Sequence, residues 1–215
     1  MIVILLGPPG VGKGTQAVRL CDALDLRHLS TGDLLREHRR GGTELGTQAQ
    51  SFMDRGELVP DELILGMVRG ELEALGDGGV LFDGFPRTVP QAEGLRVVLA
   101  DLGRSLDHVV LLVADDEVLV ERLSGRRSCP ECGSVFNVHF NPPATEDTCD
   151  RCGHEGLVHR TDDQPDTVRN RLEVYRRQTE PLIHFYQAGS PGVRRVDADQ
   201  GVDEVQAGVR AAVDG

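Results

Sequence analysis

Residues 7–15 read Gly7-Pro8-Pro9-Gly10-Val11-Gly12-Lys13-Gly14-Thr15 and follow a short apolar run, Ile2–Leu6. From Lys13 to Leu24 the apolar residues Ala17, Leu20, Cys21 and Leu24 fall on one helical stripe. A Gly-rich turn between a buried strand and the start of a helix is the setting of a phosphate-binding loop. The glycines let the backbone curl with its N–H groups turned inward, and the helix N-terminus adds roughly half a positive charge. Lys13, the one lysine among 23 basic residues, supplies a mobile full charge for the outer phosphates. A coding preference for Arg explains the bias elsewhere. Gly14 stands where such loops normally carry Ser or Thr, and Thr15 comes one position later. A bound Mg2+ is therefore expected to be held mainly by nucleotide and water.

The rest of the chain alternates. Val80–Asp83 and His108–Val113 are apolar runs without polar alternation, and Val193–Val196 is a further candidate strand. Helical patterns lie at about 43–55, 61–75, 91–102, 117–123 and 166–186. Strands apolar on both faces, separated by helices, predict an α/β fold with a parallel sheet flanked by helices. Residues 128–159 break the pattern with Cys pairs, Gly, Pro and Asn, and read as a small inserted subdomain.

Two further stretches have the residue types of anion sites. In Leu29-Ser30-Thr31-Gly32-Asp33-Leu34-Leu35-Arg36 a strand end passes through a polar turn into a helix. Thr31 and Arg36 fit a second anionic ligand, and Ser30 or Thr31 equally fits a plain helix cap. In Val80-Leu81-Phe82-Asp83-Gly84-Phe85-Pro86-Arg87-Thr88, followed by Gln91, a strand ends in Asp83, placed like the acidic residue near Mg2+ in phosphate-loop enzymes. Gly84 and Pro86 then shape a turn that aims Arg87, whose planar fork suits bidentate phosphate binding.

Cys129-Pro130-Glu131-Cys132 and Cys149-Asp150-Arg151-Cys152 are two Cys-x-x-Cys pairs with the spacing of a structural zinc site. Four thiolates leave no open coordination position, so the site is read as structural; spacing alone does not choose zinc over iron. Cys21, on the apolar stripe, is read as a core residue.

The first three motifs together resemble the adenylate kinase family, in order and in spacing. The likeness continues through Glu121–Arg127, Asn141-Pro142-Pro143, Arg160–Asp163 and Arg169–Leu172, nearly the whole chain. It implies transfer of a phosphoryl group between ATP and AMP, giving ADP, with Mg2+ accompanying ATP. It implies that Gly10, Val11, Gly12, Lys13, Gly14 and Thr15 hold the ATP phosphates. Arg122 and Arg126 would reach those phosphates, Val135 and Phe136 would flank the adenine, and Gln200 would meet it through the backbone. Thr31, Arg36, Glu57, Leu58, Val59, Gly84, Phe85, Pro86, Arg87 and Gln91 would form the AMP site. Arg160 and Arg171 would grip both nucleotides near the transferring group. The catalytic set so implied is Lys13, Arg87, Arg122, Arg126, Arg160 and Arg171. Phosphoryl transfer needs positioning and charge neutralisation more than a general base, which suits such a set. The implied organisation is a core of 1–29, 60–122 and 161–215, an AMP-binding segment of 30–59 and a lid of 123–160 cross-linked by structural Zn2+ on Cys129, Cys132, Cys149 and Cys152.

Net charge is −12, which disfavours nucleic acid and anionic lipid as general partners. No run of about 18 apolar residues is present, so no membrane span is expected. Cysteine usage without a secretory signal points to a reducing cytoplasm, and the acidic surface to a monomer. The alternatives are another nucleoside monophosphate kinase, a GTP-preferring donor site, a non-catalytic nucleotide sensor, or a zinc-ribbon nucleic-acid protein; the low aromatic content, 4%, disfavours the last.

Overall fold

The computed structural model describes residues 1–215. Five parallel strands form the central sheet: β1 (Ile2–Leu6), β2 (Arg27–Ser30), β3 (Val80–Asp83), β4 (His108–Val113) and, near the C-terminus, a strand at Arg194–Asp197. The spatial order is β2, β3, β1, β4 and then that last strand, so the Gly-rich loop leaves from the middle of the sheet. Register is set by pairs such as Ile4↔Phe82 and Leu5↔Val110. Every residue of β1 is buried because the sheet is covered on both sides. Ile2, Ile4 and Leu6 enter one core with Phe82, Phe85 and Leu95, while Val3 and Leu5 enter a second with Leu20, Leu112 and Leu119.

The helices pack accordingly. α1 (Lys13–Leu24) buries Ala17, Leu20 and Cys21, as its stripe predicted. α2 (Thr31–Arg40) and α3 (Glu44–Arg55) pack against each other. They lie so close that a Cβ on Gly46 would fall 2.3 Å from the His38 main chain, which only glycine tolerates. Thr43, expected as the first helical residue, caps α3 by accepting from the Gly46 N–H. α4 (Asp61–Leu75), α5 (Val89–Asp101) and α6 (Asp116–Ser124) match the expected segments within two residues. In residues 123–160 a short antiparallel pair, β5 (Arg126–Ser128) and β6 (Val135–Asn137), forms a separate small sheet.

The segment expected as one helix from Asp166 to Tyr186 is not one. It divides into α7 (Pro165–Val174), a π turn at Tyr175–Thr179 and α8 (Pro181–Gln187). Pro181 is the cause: its ring opposes a carbonyl one turn back and it has no N–H, so the turn widens and the Glu180 N–H reaches Tyr175 O at 2.9 Å. The last strand, β7 (Arg194–Asp197), lies one residue later than expected, and α9 (Val202–Asp214) closes the second core. No helix is long and apolar enough to cross a membrane.

Candidate active site

The loop from β1 to α1 bends through Gly7, Gly10 and Gly12, with φ of 143°, 86° and 100°. A Cβ on Gly10 would strike Leu119 O at 2.9 Å, so α6 presses directly on the loop. Lys13 Nζ donates to Gly7 O at 2.8 Å and Pro8 O at 2.9 Å and so curls over the cradle. Burial, aided by the charges of Arg87, Arg171 and Arg126 and opposed by Asp83, lowers its pKa to about 7.

Asp83 ends β3 beside this loop. Its Oδ2 would lie 3.4 Å from a Cβ placed on Gly14, so the missing side chain at 14 leaves space next to the carboxylate. Burial raises the Asp83 pKa, but the His28 Nε2 contact at 3.3 Å and the Lys13 charge more than offset it and hold it below the usual range.

Arginines converge from four elements. Arg87 follows β3; its Nε donates to Gly84 O at 2.7 Å, and burial with repulsion from Arg171 lowers its pKa to about 10. Arg126 at the start of β5 meets Asp163 through two hydrogen bonds, one of 2.7 Å from Nε to Oδ2. Arg171 on α7 donates to the Asp162 carbonyl at 2.8 Å and to Asp163 Oδ1 at 3.0 Å. Asp163 is fully buried and serves both guanidinium groups. Arg160 donates to Ser128 Oγ at 2.7 Å, and burial with repulsion from Arg36 and Arg126 lowers its pKa to about 9. Arg36 pairs with Asp33 at 2.6 Å. Arg122 stands apart from this cluster: Nη2 donates to Ala198 O at 2.8 Å, Nη1 approaches Val11 O, and the group lies over the Phe140 ring, bracing the loop from behind.

A pocket beside Arg87 is lined by Thr31, Leu35, Leu58, Val59, Ile64 and Gln91, with Gly84 at its edge. Thr31 Oγ1 donates to Gly84 O at 2.9 Å, tying α2 to the turn after β3. Leu35 and Ile64 were not singled out in the sequence, where they read as ordinary core positions. A second cavity of about 280 Å³ opens between the α2–α3 pair and the segment 158–162, with Arg36, Arg39, His159 and Arg160 on its wall. The two sides touch: Arg40 donates to Pro130 O at 2.7 Å, and Thr161 Oγ1 reaches Asp54 at 3.4 Å.

Four further residues of the implied set lie outside the arginine cluster and the two cavities. Val135 is 42% exposed on β6, and Phe136 packs inward against Cys129 and Cys149. Gln200 donates to Asp197, and Glu57 pairs with Arg55 at the surface.

The four paired cysteines converge. Their Sγ atoms lie within 4.8 Å of one another, with Cys129–Cys152 at 3.6 Å and Cys132–Cys149 at 3.5 Å. These separations are too long for disulfides and near the edge of about 3.8 Å for a tetrahedron of Zn–S bonds. Matching turns bring them there: Gly133 N–H donates to Cys129 O and Gly153 N–H to Cys149 O, each glycine at positive φ. The donor set fits zinc.

A sequence profile described as adenylate kinase matches residues 5–190. The chain is 47% identical over 219 aligned positions to the adenylate kinase of Bacillus licheniformis, covering 100% of this chain and 99% of that protein. It is 49% identical over 212 positions to that of Lysinibacillus sphaericus, covering 98% and 97%. It is 49% identical over 217 positions to that of Exiguobacterium sibiricum, covering both chains completely.

Proposed function

The chain belongs to the adenylate kinase family, and with that as premise we propose how its residues divide the work of moving a phosphoryl group between ATP and AMP. The observation that carries the reading is the meeting of Lys13, Asp83, Arg87, Arg126 and Arg171 at the end of the sheet where the Gly-rich loop and the pocket beside Arg87 face each other. ATP phosphates lie along the loop from Gly10 to Thr15, with Lys13 leaving the Gly7 and Pro8 carbonyls to meet them. AMP enters the pocket lined by Thr31, Val59 and Gln91, its phosphate held by Arg36, Arg87, Arg160 and Arg171. Arg126 completes the charge around the group in transit, and Arg122 supports the loop.

Adenylate kinases use Mg2+ with ATP. In this chain Asp83 is the carboxylate beside the loop, and Gly14 offers no hydroxyl. Asp83 would therefore hold the hydrated ion, which supplies neutralising charge to the phosphates. Residues 123–160 act as a lid and 30–59 as the acceptor arm; their closing excludes water that would otherwise take the phosphoryl group. Zn2+ on Cys129, Cys132, Cys149 and Cys152 replaces the core that the lid lacks.

A coupled assay of ADP formation tests this reading. Wild type is expected to turn over ATP with AMP, and Lys13→Met and Arg87→Ala to lose on the order of 3 kcal/mol of barrier stabilisation, about a hundredfold in rate. Near-normal turnover in either folded variant refutes the assignment.

A further inference from the structure

Gln91 lines the acceptor pocket and is 2% exposed. Its amide is held from both sides. Oε1 accepts from the Arg87 main-chain N–H at 2.7 Å. Nε2 donates to Asp61 Oδ1 at 2.7 Å. Asp61 is the first residue of α4, and its other oxygen accepts from Thr88 Oγ1 at 3.0 Å. That same hydroxyl oxygen caps α5 by accepting from the Gln91 N–H at 3.2 Å. Thr88, Asp61 and Gln91 thus form a closed ring.

We propose that Asp61 is a specificity-determining positioning residue that fixes which way the Gln91 amide faces the acceptor base. This rests on the reading that Gln91 meets that base. An amide can pair with either class of purine by rotating half a turn, because its oxygen and nitrogen have similar size and opposite hydrogen-bonding sense. Here the rotation is blocked. It would set Oε1 against a carboxylate, which has no proton to give, and Nε2 against an N–H, which has no lone pair. Both part-buried contacts would be lost together. After the two fixed bonds, the amide keeps one N–H and one lone pair. A 6-aminopurine offers the complementary amino donor and ring acceptor. A 6-oxopurine puts an acceptor and a donor at the same places, so like meets like. Rejection of the 6-oxopurine therefore depends on a carboxylate that need not touch the nucleotide, acting together with the Arg87 N–H.

The test compares kcat/KM for AMP and inosine monophosphate, which differ at this edge alone, at fixed ATP. Four proteins are needed: wild type, Asp61→Asn, Gln91→Leu and Glu62→Gln. In Asp61→Asn the new amide can present either a donor or an acceptor to Gln91, so only the Arg87 N–H still opposes the rotation. Losing the carboxylate half of the lock is expected to narrow the AMP-to-IMP ratio by about tenfold, through acceptor KM and not donor KM. A ratio is independent of the fraction of enzyme that folds, so instability cannot imitate the effect. Glu62→Gln removes a neighbouring exposed carboxylate from the same helix turn and is expected to leave the ratio unchanged. If Gln91→Leu loses the preference while Asp61→Asn keeps it, the lock is overturned and the reading of Gln91 stands. If Gln91→Leu keeps the preference, the reading falls and the lock with it. Equal narrowing in Glu62→Gln also overturns the lock, because helix-terminal charge then explains the result.

Discussion

Lys13 offers the most direct quantitative test of the site, because binding must change its protonation. Its pKa is about 7, lowered by burial and by Arg87, Arg171 and Arg126. With the ATP phosphates on the cradle as proposed, several negative charges reach the same ammonium and return it to the fully protonated state. Binding therefore takes up a proton whenever the free enzyme lacks one. From a pKa of about 7, uptake is about 0.1 proton per site at pH 6, half at pH 7 and about 0.9 at pH 8. The sign follows from linkage: binding that takes up protons weakens as pH rises, here by nearly tenfold per unit above pH 8, until the pKa of the bound state is reached. Titration calorimetry with ATP alone, in Tris and in HEPES, gives the proton count from the dependence of heat on buffer. Lys13→Arg is the reference, because guanidinium stays charged throughout this range. The difference between the two proteins should follow the series above. A difference of zero at pH 8 would show Lys13 fully charged before ATP binds and refute the electrostatic account of the cradle.

Other expectations concern stability. Asp163→Asn leaves Arg126 and Arg171 without their shared buried partner and should cost about 3 kcal/mol or more. That corresponds to roughly 6–12 °C in Tm by calorimetry for a chain of this size, and a shift under about 2 °C would contradict the account. If the four thiolates hold zinc as proposed, chelation should lower Tm and raise amide exchange across residues 126–159, where Cys129, Phe136 and Cys149 are the buried apolar cluster, while β1 and β4 stay protected. Unchanged exchange in the lid would rule out the metal as its cross-link.

What the sequence revealed depended on whether a physical constraint was local. The cradle was legible because its backbone path demands glycine at Gly10 and Gly12, and the thiolate cluster because two knuckles impose their own spacing. β1, β3 and β4 were legible because burial on both faces makes them apolar throughout. β2, Arg27–Ser30, showed itself only as a strand end, since an edge strand with one buried residue has no such run. α9 escaped because its buried face is Val205, Val209, Ala212 and Val213 amid Gly and charged residues. Pro181 stood in plain view, yet the periodicity on either side continued through it. The carboxylates of the site were the hardest to assign. Asp163 lies 37 residues from Arg126, and Asp61 lies 30 from Gln91; no period or spacing marks such pairs.

The same carboxylates give the cleft an unusual relation to salt. Asp33, Asp162 and Asp163 already sit on Arg36, Arg126 and Arg171 as resident counter-ions. If these arginines hold nucleotide phosphate as proposed, entry would be an exchange of anions, in which phosphate oxygens take places held by the protein's own carboxylates and not by ions from the medium. Few dissolved ions are released in the exchange, so affinity should fall with ionic strength less steeply than the number of arginines alone implies. The displaced carboxylates would also press to return, and so would favour departure of product.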